Sequence, residues 1–317
     1  MSTISNRTAL VSAAQLAIAR GSKSFTLASQ IFGKPTRERA WLLYYWCRAC
    51  DDIVDGQDHG GALTVLSDTP ARVVHVRALT EKALAGETTG SEPFDALGMV
   101  ARECGIPHDL PMDVIEGFAM DAADWRPKSE NDLLAYSYHV AGAVGRMMAL
   151  VMGVSPNDSD TLDRATDLGI AFQLSNIARD LDEDDKAGRC YLPMNWLAEA
   201  DIAPGEQMRP YNRSRLADMA WWLADMVADY EASARVGAAR LPFRSRWAVL
   251  SAASIYGEIA REVDRRDAQA WDHRVVVGKR RKAWLVVKAL GQALSNHPQA
   301  RDRTGLWTRD EALAVPA

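Results

Sequence analysis

The chain has 317 residues, 48% of them hydrophobic and 25% charged, with a formal net charge of −5. That balance belongs to a globular protein with a sizeable core. It excludes a disordered, collagen-like or disulfide-stapled chain, and its acidity argues against a general nucleic-acid binder. The N-terminus carries no apolar run closed by a small-residue cleavage site. Helix-forming stretches between prolines then follow one another: 36–55, 129–153, 157–185, 213–237 and 245–267. Residues 56–69 are rich in Gly and Asp and read as a loop. Residues 168–178 are apolar on most sides, as in a helix buried in a large bundle. The best strand signal, Val275-Val276-Val277, is short. The longest run without Asp, Glu, Lys or Arg is residues 133–145, too short to cross a bilayer. No repeat or linker divides the chain, so a single all-α domain over 1–317 is expected, in the cytoplasm, with loose attachment to the inner face of a membrane left open.

Two acidic clusters carry the chemical argument. Asp51-Asp52-Ile53-Val54-Asp55 ends one helix, and Asp180-Leu181-Asp182-Glu183-Asp184-Asp185 follows the apolar segment containing Gln173, Asn176 and Arg179. Each holds aspartates four apart, one turn apart on the same helix face, so two carboxylates can reach one point. A lone pair of this kind means little, since chance supplies several in so acidic a chain. These two follow strongly apolar helix, where acids are unexpected. The second extends a polar stripe, Asn176, Asp180, Asp184, in four-residue steps. Like charges so close repel, and a bound divalent cation relieves the repulsion. Oxygen donors without His or Cys suit Mg²⁺ or Mn²⁺, which commonly share a carboxylate pair with a substrate phosphate. Arg48, Arg179 and Arg189 lie nearby in sequence, and Lys23, Arg274 and the run Lys279-Arg280-Arg281-Lys282 add further charge; the plain reading of that run is a solvated face.

Other schemes fail to match. No P-loop, dinucleotide fingerprint or G-x-S-x-G elbow occurs, and the six histidines form no ligand cluster. Cys47 and Cys50 form a C-x-x-C without a second pair, and read as small residues one turn apart on a helix. Gly142 and Gly145 lie in a helical stretch, where they serve close packing or make room for a long tail.

Gly21-Ser22-Lys23-Ser24-Phe25, Tyr44-Tyr45-Trp46-Cys47-Arg48-Ala49-Cys50-Asp51-Asp52-Ile53-Val54-Asp55, Tyr136 with Val140-Ala141-Gly142-Ala143-Val144-Gly145, and the stretch from Gln173 through Asp184 to Gly188-Arg189-Cys190-Tyr191-Leu192-Pro193 together resemble the signatures of the squalene and phytoene synthases. The likeness runs from about residue 15 to 290, and its details are most similar to the bacterial phytoene synthases. One departure is Gly21, where many members have His. The resemblance implies an isoprenoid (terpenoid) synthase fold, a helical bundle around a central cavity. It implies head-to-head (1'-1) condensation of two geranylgeranyl diphosphates, through prephytoene diphosphate, to phytoene in carotenoid biosynthesis.

On that resemblance Asp51 and Asp55 would bind metal on one side of the cavity, and Asp180 and Asp184, with Asn176, on the other. Two or three Mg²⁺ or Mn²⁺ ions would bridge the diphosphate. Arg48, Arg179, Arg274, Lys23 and Ser22 would take charge from the phosphates, while Tyr44, Tyr136 and Tyr256 would touch the departing diphosphate or the reacting carbons. Phe25, Tyr44, Phe172 and Tyr136 are aromatic candidates to stabilise cations, and Gln173 joins the substrate-binding set. No nicotinamide site is seen, so NADPH is not expected. Neighbouring carotenoid-pathway enzymes and a membrane surface are the expected partners, and nucleic acid is not. The alternatives are the same chemistry on farnesyl diphosphate, giving dehydrosqualene or squalene, a one-substrate terpene cyclase, and a non-catalytic helical assembly protein of the same fold.

Overall fold

The computed structural model describes residues 7–21, 26, 28–56, 69–295, 297 and 300–310, apart from the side chain of Asp55. Ser22, Lys23, Phe25 and most of the expected 56–69 loop lie outside the described residues. Within them the regular structure is helical, with no strand. Val275-Val276-Val277 is irregular backbone whose two outer side chains are buried.

The chain forms two compact units, one of residues 1–123 with 147–158, the other of residues 124–146 with 159–317. In the first, α1 (Arg7–Gly21) and α4 (Glu92–Cys104) pack on α2 (Lys34–Asp55), and α3 (Thr69–Leu84) packs on α4 and α5 (Asp109–Ala122). Proline and glycine set the ends here. Pro35 opens α2, where its missing N–H costs nothing, and Gly56 closes it at φ 63°, donating to the Asp52 carbonyl. Trp41, Leu42, Leu43, Trp46, Cys50 and Val54 form the buried stripe of α2, which leaves Tyr44, Arg48, Asp51 and Asp52 on its part-open side.

In the second unit the long helices α8 (Ser159–Lys186), α10 (Arg213–Ala238) and α11 (Phe243–Arg266) pack together, and α12 (Lys279–Ser295) packs on α11. The expected 129–153 helix is interrupted: α6 (Glu130–Ser137) passes through a π-helical turn, Tyr138–Gly142, before α7 (Ala143–Val151). Ser129 caps α6 in a reciprocal capping box with Asp132. The π turn lies where backbones approach most closely. A Cβ on Gly169 would stand 2.2 Å from the Ala141 carbonyl oxygen, and one on Gly145 would stand 2.4 Å from that of Ala165. These glycines therefore serve helix packing. The space at Gly142 is filled likewise, by Thr166 and Tyr138, which corrects the expectation of room there for a lipid tail. Before α10 come the short α9 (Met194–Glu199) and a 3-10 turn, Pro210–Asn212.

A buried carboxylate fastens the C-terminal segment to this unit. Asp167 is fully buried, and Arg303 grips it with two bonds of 2.8 Å while the Ser233 hydroxyl donates at 2.6 Å. The paired guanidinium supplies the charge that such burial demands.

Candidate active site

In the first unit the acidic cluster is the final turn of α2. The aligned peptide dipoles leave negative partial charge at that end, so the aspartates stand where they are least welcome. No basic residue lies in that last turn. Arg48, just before it, takes up the charge. Its Nε and Nη2 donate to Asp52 Oδ1 at 3.0 and 2.5 Å, and its Nη1 pairs with Asp51 Oδ2 at 2.7 Å. Burial opposes the Arg48 charge, but the two aspartates outweigh it and hold the guanidinium protonated. Asp52 thus fixes the arginine rather than facing outward with Asp51. Tyr44 lies one turn earlier, and burial pushes its hydroxyl above the ordinary value against the pull of Arg48. Gly21 ends α1 directly beneath: a Cβ there would be 2.6 Å from the Tyr44 hydroxyl and 3.6 Å from Arg48 Cδ.

In the second unit α8 is buried on most of its circumference, through Ile170, Ala171, Leu174, Ser175, Ile177, Ala178 and Leu181. One stripe stays part-exposed: Phe172, Gln173, Asn176, Arg179, Asp180 and Asp184. The helix expected to be apolar on most sides thus opens along its polar stripe. It kinks at Asp180, whose φ −100° and ψ 15° leave the helical region. The indole N–H of Trp271 donates to the Ala178 carbonyl at 2.9 Å beside the kink, the insertion of a side chain into the ladder that bends helices. Asp180 accepts from Arg274 at 2.8 and 2.9 Å and from Arg179 Nε at 2.7 Å, with a second contact from Arg179 Nη2. Burial alone would raise the Asp180 carboxyl; the two guanidiniums reverse this and hold it below the ordinary carboxylate value. Arg274 also reaches Glu183 at 3.8 Å. Gly188, at φ 75°, closes α8, with Gly188 N–H on the Asp185 carbonyl and Arg189 N–H on that of Asp184.

The aromatic candidates are placed by stacking. Tyr256 lies on Phe172 with ring centroids 3.9 Å apart, and burial pushes its hydroxyl up. Tyr136 is 3% exposed and sandwiched between Trp125 and Tyr191, at 5.8 and 4.8 Å. Sequence reasoning missed Trp271, Trp125 and Tyr191 as supports. Only Tyr191 had a signal, its place beside Leu192-Pro193 in the last signature. Within its own unit the structure brings Tyr44, Arg48, Asp51 and Asp52 to one face of α2. It gathers Gln173, Asn176, Arg179, Asp180, Asp184, Tyr256 and Arg274 about one face of α8, with Tyr136 set back in its stack.

Among the described residues no three of His, Cys, Asp or Glu gather closely enough to hold a metal alone. The donor chemistry nevertheless fits a hard cation that shares its coordination with phosphate. The donors are oxygen-only, Asp51 and Asp180 are paired with guanidiniums, and those on Asp180 hold its carboxyl below the ordinary value.

Comparison with known proteins places this geometry in context. A profile for the squalene/phytoene synthases matches residues 18–281. The phytoene synthase of Pseudescherichia vulneris is 42% identical, covering 92% of this chain and 95% of its own. The 15-cis-phytoene synthase of Pantoea ananas is 40% identical, covering 96% and 99%. Among solved structures, a dehydrosqualene synthase in complex with ligand superposes with a TM-score of 0.80 at 24% identity, over 91% of this chain and 98% of that one.

Proposed function

Because the chain belongs to the squalene/phytoene synthase family and is 40–43% identical to phytoene synthases over most of its length, we propose that it joins two geranylgeranyl diphosphates head to head, with residues 1–317 acting as one catalytic domain. It is a prenyltransferase that forms phytoene. Two diphosphates and two protons leave over the two steps, one of each per step, with prephytoene diphosphate between them. Among the described residues no helix is long and apolar enough to cross a membrane. We read the chain as cytoplasmic and as a visitor to the inner membrane face, where a forty-carbon product must go.

The observation that carries this reading is the pair of acidic clusters, each with an aspartate, Asp51 and Asp180, already bound by arginine. Asp51 and Asp55, and Asp180 and Asp184 with Asn176, would hold two or three Mg²⁺ or Mn²⁺ ions. When bound, such ions would supply Lewis-acid charge that makes the diphosphate a better leaving group. The protein's own groups do the rest. Arg48, Arg179 and Arg274 exchange a carboxylate partner for phosphate oxygens, a swap of one charge-assisted bond for another. Ser22, Lys23 and Phe25, on the segment after α1, complete the substrate-binding set. Tyr44 and Tyr256, kept protonated by burial, donate hydrogen bonds without adding negative charge. Phe172 presents a π face to carbocations, while Tyr136, whose two faces are covered by Trp125 and Tyr191, helps exclude the water that would quench them.

The test supplies geranylgeranyl and farnesyl diphosphate separately, with Mg²⁺ or Mn²⁺, with a chelator, and with metal restored. Phytoene from the twenty-carbon substrate, lost on chelation and regained on adding metal, is expected. Turnover of the fifteen-carbon substrate alone rejects the chain-length assignment, and chelator-insensitive turnover rejects the metal mechanism.

A further inference from the structure

We propose that the outward face of α12 is a docking surface for an anionic lipid bilayer. The inner face is already committed. Ala289 and Ala293 pack with Ala238 and Leu250, Arg246 donates to the Ala293 carbonyl at 3.1 Å, and Trp247 donates to that of Val286 at 2.9 Å. The outer face carries an apolar line at steps of three and seven residues, which keep to one side of a helix: Trp284, 50% exposed, Val287, 66%, and Leu294, 68%. Exposed apolar residues scattered singly need no explanation, but a line of them on one helix does.

Charge identifies the occupant. Lys279–Ser295 contains five Lys or Arg and no Asp or Glu, in a chain of net −5. The cations flank the apolar line: Arg281, which also pairs with Glu258 at 2.8 Å, stands 4.5 Å from the Trp284 ring centroid, and the Lys288 ammonium stands 5.3 Å from it. A cationic helix whose exposed face is also apolar, with Trp along it, has the pattern of a helix lying in a membrane interface. Polyanions such as DNA would satisfy the cations and leave Trp284, Val287 and Leu294 in water. Anionic headgroups above acyl chains satisfy both.

The proposal rests on the reading that the chain visits a membrane, yet its test needs no turnover, so failure of either leaves the other standing. Full-length protein is sedimented with phosphatidylcholine vesicles, with and without phosphatidylglycerol, at rising salt. Wild type is expected to partition onto the anionic vesicles only, less so as salt rises. Lys288→Glu and Trp284→Ala are each expected to partition about tenfold more weakly. Both should keep the wild-type melting temperature and turnover of detergent-dispersed substrate. The proposal is overturned if wild type ignores anionic vesicles, or if either variant partitions like wild type. It is equally overturned if the variants instead abolish a dimer seen without lipid, which would make the face a contact between copies.

Discussion

Arg48 holds Asp51 and Asp52 near the negative end of α2, and Arg274, together with Arg179, holds Asp180 at the kink of α8. If those aspartates bind metal, Asp51→Ala and Asp180→Ala should each lower turnover by about a thousandfold. Circular dichroism and the melting temperature should change little, since both side chains are part-exposed. Full activity in either variant would remove the metal assignment. A purely structural pair offers the contrast. Glu103 accepts from Arg7 Nε at 2.7 Å and Arg39 Nε at 2.9 Å, and those bonds, chiefly from Arg7, hold its carboxyl below the ordinary value. The folded value lies below the unfolded one, so the stabilisation is complete above about pH 4.3. It fades as pH falls through the lowered folded value. Glu103→Gln should cost about 1 kcal/mol at neutral pH. The deficit should shrink in acid; one that urea melts show unchanged from neutrality into strong acid would contradict the pairing.

At the scale of the element, the helices were largely legible because proline and glycine mark their ends. The expected 36–55, 157–185, 213–237 and 245–267 stretches match α2, α8, α10 and α11 to within a few residues. The π turn was not legible. One extra residue in a helical turn leaves no mark in a pattern of apolar positions, and its reason, the approach of Ala141 to Gly169, belongs to another helix. The kink at Asp180 escaped for the same cause, since Trp271 lies ninety-odd residues away. Gly169→Ala should therefore destabilise by about 2–3 kcal/mol, because the atom it meets is backbone and cannot rotate away. An unchanged melting temperature would mean that α8 and the π turn are less tightly apposed.

Over the whole molecule, residue types and spacing marked both acidic clusters and the polar stripe, because carboxylate repulsion on apolar helices is a local conflict visible in one dimension. They did not mark what steadies those groups. The Tyr136 sandwich and the clamp of Arg274 on Asp180 join residues far apart in the chain, and stacking or ion pairing leaves no periodic trace. The measurement that bears most directly on the account is a crystal structure with a non-hydrolysable thio analogue of geranylgeranyl diphosphate and Mn²⁺. Anomalous peaks bonded to diphosphate oxygens and to carboxylates of both the Asp51/Asp55 and the Asp180/Asp184 turns are expected. A diphosphate seated with its metals away from either turn would contradict it.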